Sequence, residues 1–329
     1  MTGIPTSVLV APDSFKGTFT AREATEAIAR GLGSAGRPVD PCPVADGGEG
    51  TLDALVGALG GEIVTALVTD PLGRQIDATF AVIEPGARAV VETAAAAGLE
   101  LVEPADRDPL AASTHGTGEL IVAAIEAGAE TVLIGVGGSA TTDGGAGAIA
   151  VISEAGGIGR ARLIVLCDVQ TPFEDAARVY APQKGADLDA VRRLTRRLHD
   201  RARRLPRDPR GRPMTGAAGG LSGGLWAAFG AELVPGASYV LDALRFDPRM
   251  RAARAVVTGE GRLDTQSLAG KAVSEVATRA RQAGVPCHAI VGQRRLDAFG
   301  ARILDLQAVL EATTLDEIEA AGAQLAALL

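Results

Sequence analysis

The chain has 329 residues, 47% of them hydrophobic and 22% charged, with a formal net charge of −8. That length suits two domains of ordinary size, and the acidic balance argues against a general nucleic-acid binder. Cys42, Cys167 and Cys287 form neither a zinc pattern nor a disulfide framework. The chain lacks a basic-then-apolar signal segment at its start and an apolar run of bilayer length, so a cytoplasmic protein with no membrane partner is expected.

Ser7–Ala11 reads as a short buried strand running into Pro12-Asp13-Ser14-Phe15-Lys16-Gly17. Thr20 and Glu23 form a capping box for a helix that Gly33 is expected to stop. Asp13, Ser14 and Lys16 therefore lie in a strand-to-helix loop, where open α/β sheets bind ligands. Asp13 and Ser14 also suit plain turn chemistry, whereas the Lys16 ammonium can meet a carboxylate or phosphate. A second strand, Val39–Val44, leads into Asp46-Gly47-Gly48-Glu49-Gly50-Thr51 and an apolar helix, Leu52–Leu59. Carboxylates among glycines suit Mg2+ or a hydroxyl proton, although a single Asp-Gly turn needs no such role.

From Glu62 the texture changes. Val64–Val68 and Ile76–Ile83 alternate like hairpin strands around Asp70-Pro71-Leu72-Gly73, and Ala89–Glu92 is a further strand. Ser113–Gly118 leads hydroxyls and glycines into a helix, Glu119–Ala127. His115 in that loop pairs with no nucleophile and reads as a surface residue.

The chain is organised around Thr131–Gly147. A buried strand, Val132–Ile134, is followed by Gly135, Gly137 and Gly138, by Ser139, Thr141 and Thr142, and by Asp143-Gly144-Gly145. Glycines let a backbone approach a ligand closely, and hydroxyls with free N–H groups before a helix cradle an anion. The stretch therefore suits phosphate. Gly135–Ala140 also fits G-x-G-x-x-A, which leaves a dinucleotide-dependent oxidoreductase acting on a small hydroxy acid as an alternative. Gly156-Gly157 interrupts the spacing that alternative needs.

Leu163–Leu166 is a strand ending in Cys167-Asp168, a well-placed carboxylate. Asp187–Leu205 is helical, with Val191, Leu194, Leu198 and Leu205 on one face and a solvated arginine face opposite. Gly216–Gly224 is another glycine-rich loop. Val256–Thr258 runs into an acidic loop, Gly259–Asp264, and then Thr265–Lys271, which is no Walker A loop because Thr265 stands where that motif needs glycine. Val285–Val291, Ala301–Leu304, Gln307–Leu310 and Asp316–Leu328 close the chain as strand, helix, strand and helix.

This order predicts an α/β fold of two α/β domains. Residues 1–67 and 252–329 would form a Rossmann-like doubly wound parallel sheet, and residues 68–251 an inserted mixed-sheet α/β domain with glycine-rich loops. The active site would lie in the cleft between them.

The motifs APDSFKGTFTAREATEAIARG, PVADGGEGT, DPLG, RDPLAASTHGTGELI, GVGGSATTDGGAG, CDVQTP, PQKGA, GAAGG and TGEGRLDTQSLAGK run in order from near residue 8 to residue 271. Together they resemble the bacterial glycerate kinase family of type I, whose members include 2-phosphoglycerate-forming enzymes. The chain is shorter than that family between the glycine-rich loop and CDV, where only Ile149–Arg162 intervene. The resemblance implies ATP-dependent phosphorylation of D-glycerate to 2-phosphoglycerate with Mg2+. A shortened, non-catalytic glycerate-binding protein is the second alternative. Roles follow from chemistry. Gly137, Gly138, Ser139, Thr141 and Thr142, with Gly219 and Gly220, would hold ATP phosphates. Lys16, Asp46, Asp168 and Asp264 would be catalytic, with Asp46 and Asp168 as candidate Mg2+ ligands. Asp13, Ser14, Glu260, Arg262 and Lys271 would bind glycerate. Which aspartate is base and which is ligand stays open.

Overall fold

The computed structural model describes residues 7–84 and 87–329. Its strands are β1 (Val8–Pro12), β2 (Val39–Pro41), β3 (Glu62–Thr69), β4 (Gln75–Ile83), β5 (Arg88–Glu92), β6 (Thr131–Gly135), β7 (Arg162–Cys167), β8 (Glu232–Pro235), β9 (Ala255–Leu263), β10 (Cys287–Arg294) and β11 (Leu306–Glu311). They form two sheets, each with its own core.

The first sheet has the order β11-β10-β9-β1-β2, and every pairing in it is parallel. The chain leaves β1 towards β2, then returns at β9 and builds away through β10 and β11. The winding reverses between β1 and β9, and such a switch point is where open parallel sheets hold ligands. β1 is buried along its whole length, as a central parallel strand covered on both faces must be. The second sheet has the order β3-β4-β5-β6-β7-β8, antiparallel from β3 to β5 and parallel from β5 to β8.

The molecule divides into one unit made of residues up to Asp46 together with Ala237–Leu329, and another of Gly47–Gly236. Both boundaries differ from those expected at 67 and 252. Helix Thr51–Leu59 and β3 belong to the second unit, because β3 pairs with β4 from Glu62↔Val82 to Thr69↔Gln75. Two helices that the sequence did not disclose, Gly236–Ala243 and Phe246–Arg251, bury Val240, Leu241, Leu244, Phe246 and Met250 in a core shared with Leu9, Ala11 and Val256. The edge strand β8 was also unanticipated: four residues ending in proline carry little alternation.

Two other differences matter for the site. Strand β9 does not end at Thr258 but continues to Leu263, so Glu260 and Arg262 are strand residues, opposite Val291 and Gln293 of β10. The first helix runs through Gly33 to Ser34, and the left-handed residue that turns the chain is Gly36, with φ of 75°. Its capping box between Thr20 and Glu23 forms as expected.

Helix Ala21–Ser34 packs on the closing helix Leu315–Ala326, with Ile28, Ile318 and Leu325 fully buried. Gly31 makes this approach possible, since a Cβ there would overlap the Glu319 carbonyl oxygen, whereas one on Gly33 meets nothing within 4 Å. Gly31→Ala should therefore destabilise the protein by about 1–3 kcal/mol through overpacking. Gly33→Ala should stabilise it by about 0.5 kcal/mol through helix propensity. Urea midpoints of the two variants check this; equal shifts would contradict the close packing.

Candidate active site

At the switch point, the loop after β1 folds down on β9. Asp13 N–H donates to the Gly259 carbonyl at 2.8 Å, and the turn closes through hydrogen bonds between Phe15 and Phe19. A Cβ on Gly261 would lie 3.2 Å from the Lys16 nitrogen and one on Gly292 would lie 2.5 Å from the Gly261 carbonyl oxygen, so loop and strands meet without side chains between them. A pocket of about 520 Å³ opens here. Asp13, Ser14, Lys16, Glu260, Arg262, Asp264 and Lys271 all line it.

Three carboxylates influence one another at this site. Asp46 is 1% exposed, and its Oδ2 lies 3.7 Å from the half-exposed Lys16 Nζ. Asp13 is held well above the usual carboxylate range by burial and then by the charge of Asp46, against the opposing pull of Lys16 and the Ser14 N–H. Glu260 is raised to about 7, chiefly by burial, against the opposing effects of Ser267 and Lys271. Among the described residues, Ser14 Oγ and Glu260 Oε1 are buried with no hydrogen-bond partner. A buried carboxylate poised near neutrality and an unsatisfied hydroxyl suit a ligand that brings its own hydroxyl.

Asp264, which also lines the pocket, is engaged locally. Its Oδ1 accepts from the Gln266 N–H at 2.8 Å and its Oδ2 pairs with Arg262 Nε at 3.3 Å, so it caps the turn that leads to Ser267–Ala269.

In the second unit the parallel strands end in Glu92, in the glycine-rich loop after Gly135, and in Asp168 after Cys167. Ser139 bridges Gly98, with Leu99 N–H donating to the Gly138 carbonyl and Ala140 N–H to the Ala97 carbonyl, both at 2.8 Å. Val136 N–H donates to the Gly47 carbonyl at 3.0 Å. Among the described residues no acceptor faces the N–H groups of Gly137 or Gly138, and Gly138 is exposed. Two adjacent backbone donors of this kind form an anion site.

The rest of the expected cradle lies beneath that surface. Thr141 and Thr142 are fully buried, with hydroxyls that have no partner among the described residues. Gly219 and Gly220 are buried too, and the Gly219 carbonyl accepts from the Gly144 N–H at 3.0 Å. A Cβ on Gly219, whose φ is 64°, would overlap the Thr141 carbonyl oxygen. These residues buttress the loop. Asp143 anchors it by accepting from Thr114 N–H and Oγ1, Gly145 N–H and Gly147 N–H. The helix after the loop starts only at Ala146, so Gly135–Ala140 does not open a helix as a dinucleotide fingerprint does.

The structure thus gathers Lys16, Asp46, Asp13, Ser14, Glu260, Arg262, Asp264 and Lys271 in the first unit. It places the glycine-rich loop and Asp168 in the second. His115 is half-exposed at the head of helix His115–Glu126, 3.6 Å from Glu119. Two further groups, the half-buried Glu92 and the buried Lys184, carry no signal in the sequence. Glu92, raised to about 7 by burial, accepts from the Leu52 N–H at 2.9 Å. Lys184 donates to Ser139 and Thr141. The latter stands in PQKGA, but nothing in its spacing marks a buried lysine.

The sequence profile of the glycerate kinase family matches residues 8–155 and 153–328. A "Glycerate kinase" of Bacillus subtilis strain 168 is 41% identical over 331 residues, which cover 88% of this chain and 86% of the relative. The chain belongs to the glycerate kinase family. The "Glycerate 2-kinase" of Escherichia coli K12 is 37% identical, over 87% of this chain and 84% of its own. A crystal structure of a Salmonella typhimurium LT2 protein provisionally named glycerate kinase 2 superposes with a TM-score of 0.82 and 34% identity, covering 98% of this chain and 97% of that one. None of the described helices is long and apolar enough to cross a membrane. Among the described residues no group of three or more His, Cys, Asp or Glu could hold a metal ion unaided.

The raised carboxylates make a stability prediction for this glycerate kinase family member. Glu260 binds its proton more tightly folded than unfolded, so between its ordinary value of 4.5 and about 7 the folded chain carries the extra proton. Stability is therefore lost as pH rises through that window. Glu260→Gln removes that loss. Its melting temperature relative to the wild type should rise as pH is taken from about 5 to about 8. A difference that stays constant across that range would contradict the raised value.

Proposed function

We propose that this protein transfers the terminal phosphoryl group of ATP to the 2-hydroxyl of D-glycerate, yielding 2-phosphoglycerate and ADP. The observation that carries the reading is the cluster of buried carboxylates Asp13, Asp46 and Glu260 at the switch point of a glycerate kinase fold, with Lys16 paired to Asp46 and its charge acting on Asp13. Glycerate needs a cation for its carboxylate and an acceptor for its hydroxyl proton, and this pocket offers both. Lys16, with Arg262 and Lys271, receives the carboxylate. Glu260, seconded by Asp13, takes the proton as the hydroxyl oxygen forms its bond to phosphorus, while the bond to the bridging oxygen breaks and ADP departs. Such transfer is largely a matter of position and charge neutralisation.

The donor belongs to the second unit, where the Gly137 and Gly138 N–H groups face its phosphates and Ser139, Thr141 and Thr142 hold the loop. A divalent cation here would draw most of its ligands from the phosphates. Burial, and then the charge of Asp46, raises the protonation of Asp13, and a bound cation would relieve the second of these. Asp46 would be the first unit's ligand, one carboxylate beside phosphate oxygens. Mg2+ so held would neutralise charge on the phosphoryl oxygens.

A coupled ADP-release assay with D-glycerate and MgATP tests the reading. The product should register with enolase directly. Registration only after a mutase is added would move the phosphate to the 3-hydroxyl, and an absence of ADP release would overturn the activity. Glu260→Gln should lower kcat by about 10²-fold or more with folding retained. Asp264→Asn should stay within about tenfold of the wild type, because asparagine keeps a turn cap.

A further inference from the structure

Lysine is almost never fully buried unless it is paired, yet Lys184 is 3% exposed. It ends the short turn Pro182–Lys184 ahead of helix Leu188–Ala202. Its Nζ donates to Ser139 Oγ at 2.9 Å and to the Thr141 carbonyl at 2.6 Å. Both partners are neutral. The carboxylate that faces it, Asp143, already accepts four hydrogen bonds from Thr114, Gly145 and Gly147. The other charged side chain nearby, Arg107, borders Gly185 through its Cβ. Burial outweighs the attraction of Asp143 and brings the ammonium down to about 7. A methionine would fill this volume with no desolvation penalty. The ammonium instead clasps both sides of the loop whose outer surface carries the unmatched Gly137 and Gly138 N–H groups.

We propose that Lys184 is a positioning residue of the phosphate-binding loop: it ties Ser139 to the Thr141 carbonyl so that the Gly137 and Gly138 N–H groups are held towards the donor phosphates, and its buried charge favours the anion bound there. The proposal rests on the reading of that loop as the donor site. It assigns Lys184 to the donor half of the reaction alone.

The test measures ATP affinity by calorimetry, and the KM values for ATP and glycerate, in Lys184→Met and Gly138→Asp. Aspartate tolerates the left-handed backbone at Gly138, where φ is 69°, and sets a negative charge on the loop surface. Both variants should weaken ATP binding by about tenfold or more, with the KM for glycerate within about twofold of the wild type. Unchanged ATP affinity in Gly138→Asp would show that the loop is not the donor site. A loss in Gly138→Asp alone, with both KM values of Lys184→Met at the wild-type level, would overturn the role of Lys184 and leave the donor loop standing. Should Lys184→Met fail to fold, the wild-type enzyme decides. With excess Mg2+ its ATP affinity should weaken several-fold between about pH 6 and pH 8.5 as Lys184 loses its proton. A flat profile would overturn the proposal.

Discussion

The close, side-chain-free contact between the loop after β1 and strands β9 and β10 is the constraint on which the first unit's chemistry depends. Gly259, Gly261 and Gly292 lie where any Cβ would press on the neighbouring backbone: on the Ile290 carbonyl, on the Lys16 nitrogen and on the Gly261 carbonyl respectively. Their absence of side chains lets Asp13 and Glu260 sink to 5% and 7% exposure at the one place where the sheet's winding opens a crevice. Burial is also the first cause of both raised proton affinities. A wider contact would admit water and restore ordinary carboxylates. The glycines and the unusual acids are thus one feature, and the folded chain bears its free-energy cost at high pH.

The second unit solves a different problem, how to hold a backbone loop whose outer face is open at Gly138. The support comes from beneath. Asp143 pins the loop to the head of helix His115–Glu126. Phe173, fully buried, fits into space left by Gly144, Gly220 and Gly223, where added Cβ atoms would come within 2.9, 2.8 and 2.6 Å of its ring. Helix Leu188–Ala202 lies over the same turn, its Leu198 and the stem of Arg201 against Gly144. One member of the arginine face therefore packs by its methylenes, as long cationic side chains do. Most of that face is solvated, with ion pairs such as Arg192–Asp189 confined to its own helix.

Much of this was legible from the chain. Thr20 and Glu23 announce a helix start because a capping box is local chemistry, and the pairing of the two terminal segments into one parallel sheet follows from alternating strands and helices. Asp13, Lys16 and Glu260 could be nominated because they follow apolar runs. What stayed hidden was non-local. Gly259–Leu263 looked like a loop because glycine and charge signal turns, but pairing with β10 keeps it extended. Asp264 looked equivalent to Asp46, and only its bonds to Gln266 and Arg262 set it apart. The burial of Thr141, Thr142, Gly219 and Gly220 was not legible either, since composition does not tell the surface of a loop from its underside. Helices Gly236–Ala243 and Phe246–Arg251 complete the first unit's core from 200 positions along the chain, and no periodicity reveals to which sheet a short helix returns.

The two units also treat charge in opposite ways. In the first, burial and mutual repulsion leave carboxylates reluctant to ionise, so Glu260 becomes an acceptor only as pH approaches about 7 from below. In the second, burial leaves an ammonium reluctant to stay charged, so Lys184 is a cation only while pH remains near or below about 7. A base must be ionised to take the hydroxyl proton, and a phosphate loop gains most when its lysine is protonated. The same desolvation acts on both groups with opposite sign, and their useful states overlap in a narrow range around neutrality. With the proposed roles of Glu260 and Lys184, burial of both groups would give a pH profile bounded on both sides, the acid limb from the first unit's pocket and the alkaline limb from the second unit's loop.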